Sequence, residues 1–212
     1  MLMVAEQFKS IQGESTFAGA LCSFVRLAGC NLSCAYCDTD YARSGGTPAS
    51  VDTVLAIVEG HGCTLVEVTG GEPLLQEDTP KLCRGLLDNK HTVLVETNGS
   101  LDISSLPSGC VRIVDVKCPA SGMAGSFLEK NLDALTAGDQ IKFVISDKKD
   151  FVWALSFVTS RHIHGRCTVI FSPTMGVLRP EDLAEWIISE SAPVRLGLQL
   201  HKIIWGNNTK GR

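Results

Sequence analysis

Cys30-Asn31-Leu32-Ser33-Cys34-Ala35-Tyr36-Cys37 decides how the rest of the chain is read, because it sets three thiols within eight residues at spacings of x3 and x2. Thiolates this close in sequence can wrap one face of a metal ion or an iron-sulfur cluster, yet they supply one ligand fewer than a closed four-coordinate site. Structural sites fill all four positions with protein, whereas a site that must touch a substrate or cofactor leaves a corner free. Two other readings use the same residues. A zinc tetrahedron would need a distant closing ligand from Cys63, Cys83, Cys110, Cys118, Cys167 or one of the five histidines, and no second Cys-x-x-Cys or His-x3-His accompanies the triplet. Independent core cysteines are the plainer alternative, since free cysteine is often buried; clustering within a polar, turn-rich segment argues against it.

The 212-residue chain has no low-complexity linker, so a single domain over residues 1–212 is expected. Its 44% hydrophobic and 20% charged residues are those of a soluble protein, and no apolar run is long enough to span a bilayer. Met1 to Glu6 lack the charged start and long apolar stretch of a signal peptide. Nine cysteines then point to a reducing, cytoplasmic setting in which thiols are ligands or core residues. A net charge of -4 gives no electrostatic footprint for nucleic acid. Lys202, Lys210 and Arg212 are expected in a solvated tail.

Outward from the cysteines, the pattern is one of alternating strands and helices. Phe8 to Ser15, polar and glycine-bearing, reads as a shaped loop feeding the strand Leu21–Leu27, which delivers the chain to Cys30. Arg26 interrupts that apolar run and, if it faces inward, needs an anionic partner. Ser50 caps a helix with Val51, Val54, Leu55 and Val58 on one face. Further strands are expected at 64–69, 92–97, 111–116, 140–145 and 167–171, with a last one over 194–200 ahead of His201. Helices fall at 76–89, around Phe151 to Val158, and after Pro180, where proline opens the first turn and Glu181 and Asp182 suit the positive end of the helix dipole. Polar or glycine-rich residues follow nearly every strand, among them Thr69-Gly70-Gly71-Glu72-Pro73, Thr97-Asn98-Gly99 and Lys117-Cys118-Pro119. In α/β folds with parallel strands the ligand sits at the carboxyl ends of the strands, so these loops should converge on one site.

With Tyr36 directly before the last cysteine, Cys30, Cys34 and Cys37 resemble the radical S-adenosylmethionine (SAM) superfamily, as does Gly70-Gly71-Glu72-Pro73 after the next strand. That resemblance implies an α/β fold, an incomplete, open parallel β/α barrel of about six core strands. It also implies a 4Fe-4S cluster on the three cysteines, with SAM at the free iron. Ser10 to Glu14, Arg26, Cys37-Asp38-Thr39, Thr69, Glu96 to Gly99 and Leu200-His201-Lys202 with Trp205-Gly206 are similar to the 7-carboxy-7-deazaguanine synthase family.

The second resemblance implies ring contraction of 6-carboxy-5,6,7,8-tetrahydropterin to 7-carboxy-7-deazaguanine plus ammonia, in 7-deazapurine (queuosine-type) biosynthesis. The implied SAM contacts are Tyr36, Cys37, Asp38, Gly71, Thr97, Asp115, Val116 and Lys117; the implied substrate contacts are Ile11, Gln12, Gly13, Glu14, Arg26, Thr69 and His201. Thr39 is the implied Mg2+ ligand. One hydroxyl is little for a hard cation, so substrate and water would complete the shell. A flavodoxin- or ferredoxin-like electron donor and a homodimer come with the family. Three departures stand out: Ser15 where relatives usually have glycine, Asp115-Val116-Lys117 where many have Ser-Pro-Lys, and the tail beyond Gly206, which does not align with the family's. The rivals are a glycyl-radical activating enzyme, which shares the cysteine spacing, and a zinc-binding module without activity.

Overall fold

The five internal apolar runs after the cysteine loop all become strands, and the crossovers between them, most of them helical, carry those strands into parallel pairing. The computed structural model describes residues 1–206 and 211, so the part of the expected solvated tail at Lys210 and Arg212 lies outside the described residues. In chain order the elements are β1 (Leu2–Ile11), β2 (Leu21–Leu27), β3 (Thr47–Ala49), α1 (Val51–His61), β4 (Leu65–Gly70), α2 (Thr79–Asp88), β5 (Thr92–Thr97), β6 (Val111–Asp115), α3 (Asn131–Ala134), β7 (Gln140–Ile145), α4 (Lys148–Ser160), β8 (Thr168–Pro173), α5 (Pro180–Ser189), β9 (Arg195–Leu196) and α6 (Leu200–Trp205). One sheet holds all nine strands in the order β3-β1-β2-β4-β5-β6-β7-β8-β9. β2 and β4 through β8 are the six expected parallel core strands, with short β9 parallel beyond them. The sheet stays open, ending on β3 and β9. No helix among the described residues is long and apolar enough to cross a membrane.

The helix starts follow local chemistry. Ser50 Oγ accepts from Thr53 N at 3.1 Å, and α1 ends on Gly62 at φ 64°, the left-handed region that favours glycine. Asp147 caps α4 by accepting from Asp150 N.

Two expectations are corrected. The stretch read as a shaped loop is half strand: β1 runs ten residues to Ile11 and lies antiparallel to β2, with Glu6 opposite Arg26 and Phe8 opposite Phe24. Its polar residues disguised it, since Glu6 and Gln7 are half-buried against partners and not exposed. Strand 194–200 shrinks to the two-residue edge strand β9, and Leu200–Trp205 turns into helix, so His201 sits on a helix and not at a strand end. The alternation of 194–200 had no neighbour to pair with beyond Leu196, and an unpaired strand has no ladder to hold it.

Side chains alternate across the sheet. Outward-facing Val66, Val68, Val93, Val95, Ile141, Phe143, Val169 and Phe171 pack with the helices in two large clusters. The opposite face turns into the barrel. Its amino-terminal floor is a smaller apolar cluster of Cys22, Phe24, Leu65, Leu94 and Ile113, against which Phe8, Phe17 and Ala20 pack. Because β1 is antiparallel, the 12–20 loop enters from this floor side, and Thr16 N bonds Gln140 Oε1 at 3.0 Å across the interior.

Candidate active site

Above the floor, the inward positions of β4, β5, β6 and β7 are Glu67, Glu96, Asp115 and Lys142, a charged layer inside the barrel. Lys142 Nζ bonds Glu14 Oε2 at 2.8 Å and Glu96 Oε1 more closely, with Asp115 Oδ2 at 3.9 Å. Asp115 Oδ2 also pairs with Lys117 at 2.7 Å. Thr69 Oγ1 donates to Glu96 Oε2 at 3.1 Å, and Gln199 Nε2 donates to Glu14 Oε1 at 2.8 Å. The Gln12 carboxamide is engaged at both ends: it donates to Glu67 Oε2 and accepts from Glu14 N at 2.9 Å. Arg26 has found the anion it needed, Glu6, at 2.8 Å, and Tyr41 donates to the same oxygen at 2.5 Å.

The acids of this layer differ in charge. Burial, reinforced by the negative charge of Glu96, pushes Glu67 up to about 8. Burial acts the same way on Glu96, but the charge and hydrogen bond of Lys142 with the Thr69 hydroxyl outweigh it and hold Glu96 at about 2. Lys142 is desolvated too, and the surrounding Glu14, Glu96 and Asp115 more than offset that, keeping it protonated.

The cysteine loop sits over the carboxyl ends of the strands and is tied to several of them. Asn98 Nδ2, past β5, donates to Asn31 Oδ1 at 3.1 Å, Asn31 Nδ2 donates to Ser100 Oγ at 2.8 Å, and Ala35 N donates to Ser121 O, past β6, at 2.9 Å. Tyr36 OH reaches Val144 O in β7 at 3.4 Å. Gly71 is where absence of a side chain is required: a Cβ there would overlap the Gly29 carbonyl oxygen and stand 2.7 Å from Cys30 Cβ. Glu72 N donates to that same Gly29 oxygen at 2.7 Å. The Glu72 carboxylate, fully buried, accepts from Leu74 N, Thr97 Oγ1 and Asn98 N at 3.0, 2.8 and 2.7 Å. Thr97 thus spends its hydroxyl hydrogen on Glu72.

Cys30, Cys34 and Cys37 are all free thiols, two half-buried and Cys37 exposed. Burial raises the Cys34 thiol, with Lys117 pulling it back. Among the described residues no three His, Cys, Asp or Glu side chains converge as around one ion. A cubane cluster asks for something else, one thiolate per iron corner, and the short, loop-borne triplet suits that. Asp115 Oδ1 is buried without a hydrogen-bond partner, an acceptor that a polar group of a bound cofactor would satisfy. These features fit a cluster and SAM. Thr39 Oγ1 lies 3.9 Å from Cys37 Sγ and offers a single hydroxyl oxygen, which by itself makes no magnesium cage.

At the open side, α6 meets the 12–20 loop. Leu200 N donates to Gly13 O at 2.9 Å, and a Cβ on Gly13 would overlap the His201 imidazole. Burial lowers the His201 pKa. Lys202 Nζ pairs with Asp38 Oδ2 at 2.5 Å, joining α6 to the cysteine loop and, against the cost of desolvation, holding Asp38 below the usual carboxylate range. The fold therefore gathers Gln12, Gly13, Glu14, Thr69 and His201 near one interior, and Tyr36 to Thr39, Gly71, Thr97 and Asp115 to Lys117 at its carboxyl rim. Sequence reasoning missed Glu67, Lys142 and Gln199, and gave Glu96 no role. The argument that singled out Arg26, a charge interrupting an apolar strand, applies equally to Glu67 in Leu65–Gly70 and Lys142 in Gln140–Ile145.

An open parallel barrel with a Cys-x3-Cys-x2-Cys loop at its carboxyl rim defines a radical SAM enzyme, and the family model "Radical SAM superfamily" matches residues 25–113. A 7-carboxy-7-deazaguanine synthase of Koribacter versatilis is 44% identical across 99% of this chain and 100% of its own length. One from Chlorobaculum tepidum is 43% identical, covering 99% and 97%. The chain belongs to the 7-carboxy-7-deazaguanine synthase family. The crystal structure of QueE from Escherichia coli shares the fold with a TM-score of 0.78 at 22% identity over 94% of both chains. Streptococcus suis SuiB bound to S-adenosylmethionine superposes with a TM-score of 0.56 at 14% identity, covering 80% of this chain and 48% of its own.

Proposed function

We propose that this enzyme contracts the ring of 6-carboxy-5,6,7,8-tetrahydropterin to 7-carboxy-7-deazaguanine with loss of ammonia, a step of 7-deazapurine biosynthesis. The observation that carries the reading is the charged layer of Glu14, Glu67, Glu96 and Lys142 inside a barrel whose rim holds the cysteine triplet. A flat heterocycle rich in N–H donors finds acceptors there, and its carboxylate finds a cation in Arg26.

In this reading Cys30, Cys34 and Cys37 hold the cluster, and Tyr36 to Asp38, Gly71, Thr97 and Asp115 to Lys117 surround SAM. Bound together, the two supply the one-electron chemistry that starts hydrogen abstraction. The residues of the chain bind, orient and exclude water. Glu14, Thr69 and His201 face the pterin, Ile11 and Gly13 shape the approach, and Gln12 fixes Glu14 through its backbone N–H. Magnesium joins at Thr39 with the substrate. The electron comes from an external flavodoxin- or ferredoxin-like protein. Residues 1–212 act as one catalytic unit, working as a cytoplasmic homodimer.

Anaerobic reconstituted enzyme given SAM, reductant and the carboxypterin should release an ultraviolet-absorbing deazaguanine product. Absence of that product in material that retains iron and sulfide overturns the substrate assignment. Retention of zinc without iron overturns the enzyme's proposed cofactor set.

A further inference from the structure

Lys142 is the most deeply placed cation of the charged layer. Its side chain is 5% exposed, while those of its partners Glu14 and Glu96 are 19% and 27% exposed. A ligand in the interior therefore reaches the two acids and not the lysine between them. Each acid receives one hydrogen bond per oxygen: Glu14 from Lys142 and Gln199, Glu96 from Lys142 and Thr69. A carboxylate oxygen has lone pairs for a second donor, so both part-exposed acids keep acceptor capacity.

Holding ions in a barrel interior is a poor way to gain stability. Desolvation of a buried pair commonly exceeds the attraction, and well-packed apolar residues of similar volume would serve at least as well. The floor of the same barrel shows that alternative, with Leu65, Leu94 and Ile113 on the same strands one step nearer the amino end. Glu67 supplies the contrast within the layer. It is as deep as Lys142, and its side-chain hydrogen bond is to the neutral amide of Gln12. An acid in that environment takes a proton, and a protonated acid turns one acceptor into a donor.

We propose that Lys142 is a positioning residue for substrate: bonded to both, it fixes Glu14 of the 12–20 loop and Glu96 of β5 as a pair of acceptors for the N–H edge of the heterocycle. Lys142 touches no substrate itself. The assignment rests on the carboxypterin reading above and names how the pocket is kept ready.

The test uses anaerobic holoenzyme. Lys142→Met removes the ammonium at similar length; Lys142→Gln leaves a neutral hydrogen-bond donor in its place with Glu96 intact and guards against a folding failure of the first. Iron content per chain and thermal midpoint report folding. Equilibrium binding of the carboxypterin and the split of KM against kcat report the proposed role. Expected for either folded variant is a rise of about tenfold or more in the substrate dissociation constant and KM, the loss of one charge-assisted hydrogen bond. The expected kcat at saturation changes less than KM. A folded, iron-loaded variant whose substrate binding equals that of the wild type overturns the proposal, as does a loss confined to kcat. Failure of both variants to fold assigns Lys142 to stability alone and also overturns it. The wild-type control separates the two layers of inference: absence of deazaguanine product from the wild type removes the carboxypterin reading, whereas wild-type turnover with unchanged variant binding removes only the role of Lys142.

Discussion

On the face toward the helices, β4 to β8 contribute valine, isoleucine and phenylalanine to two apolar clusters; on the face toward the barrel, the same strands contribute Glu67, Thr69, Glu96, Asp115 and Lys142. Among the described residues the outward layer holds one buried ion pair, Arg112 with Asp139 at 3.3 Å. Alternation by single residues thus separates two tasks within one set of strands. Outward positions bury area and hold the sheet to its helices, while inward positions surrender stability to present charge. The difference teaches that mutational effects should sort by parity along a strand more than by distance along the chain.

The strongest way to break this comparison lies at the rim. Cys34→Ala should abolish iron-sulfur absorbance and turnover while leaving secondary structure intact by circular dichroism; retained turnover would show that the site is elsewhere. Next is the outward layer. Phe171, fully buried and edge-on to Phe143 and Phe151 at 5.3 and 5.8 Å, should cost about 3–5 kcal/mol on truncation to alanine, measured by denaturant unfolding. A much smaller cost would mean that the outer clusters are not the main source of cohesion.

Glu67 sharpens the comparison through pH. Its pKa rises from 4.5 in the unfolded chain to about 8 when folded, so the folded state holds a proton the unfolded state has lost. The stability this contributes is fully present below pH 4.5 and is lost as pH rises through about 8. Glu67→Gln should flatten the fall of stability across that window by up to about 1.4 kcal/mol per pH unit, read from unfolding midpoints. A slope that survives the substitution would place the proton on another group. The smallest effect is expected in the 12–20 loop, where Ser15 adopts φ 62°. Left-handed backbone strains any side chain, so Ser15→Gly should stabilise by at most about 1 kcal/mol, offset partly by the greater freedom of glycine when unfolded.

The parallel strands were legible because each is an apolar run ending in polar or glycine residues, and the rim of the site was legible because those ends carry motifs. The cysteine triplet and Gly70-Gly71-Glu72-Pro73 announce themselves through spacing. The charged layer does not. Glu67 and Lys142 each stand alone in an apolar strand, and a lone charge has no periodicity; their relation exists only once β4 to β7 are side by side. β1 was obscured for a related reason, since Glu6 and Gln7 look solvated until Arg26 and Val54 O are seen beside them. The end of the chain misled in the other direction. Leu196, Leu198 and Leu200 alternate like a strand, yet past Leu196 no neighbour offers a ladder, and α6 forms with no side-chain cap and no fully buried residue to advertise it.

An unclosed barrel carries a hazard that a closed one avoids, because each free margin exposes backbone groups able to recruit another chain. Here the outermost strands are β3, three residues long and containing Pro48, and β9, only two residues long, while β1 past Val4 is paired on the β2 side alone. Strands so brief give an incoming chain almost nothing to align with, and proline withholds a donor where one would be needed. At β3 and β9 themselves, the fold thus offers a second chain little backbone to extend.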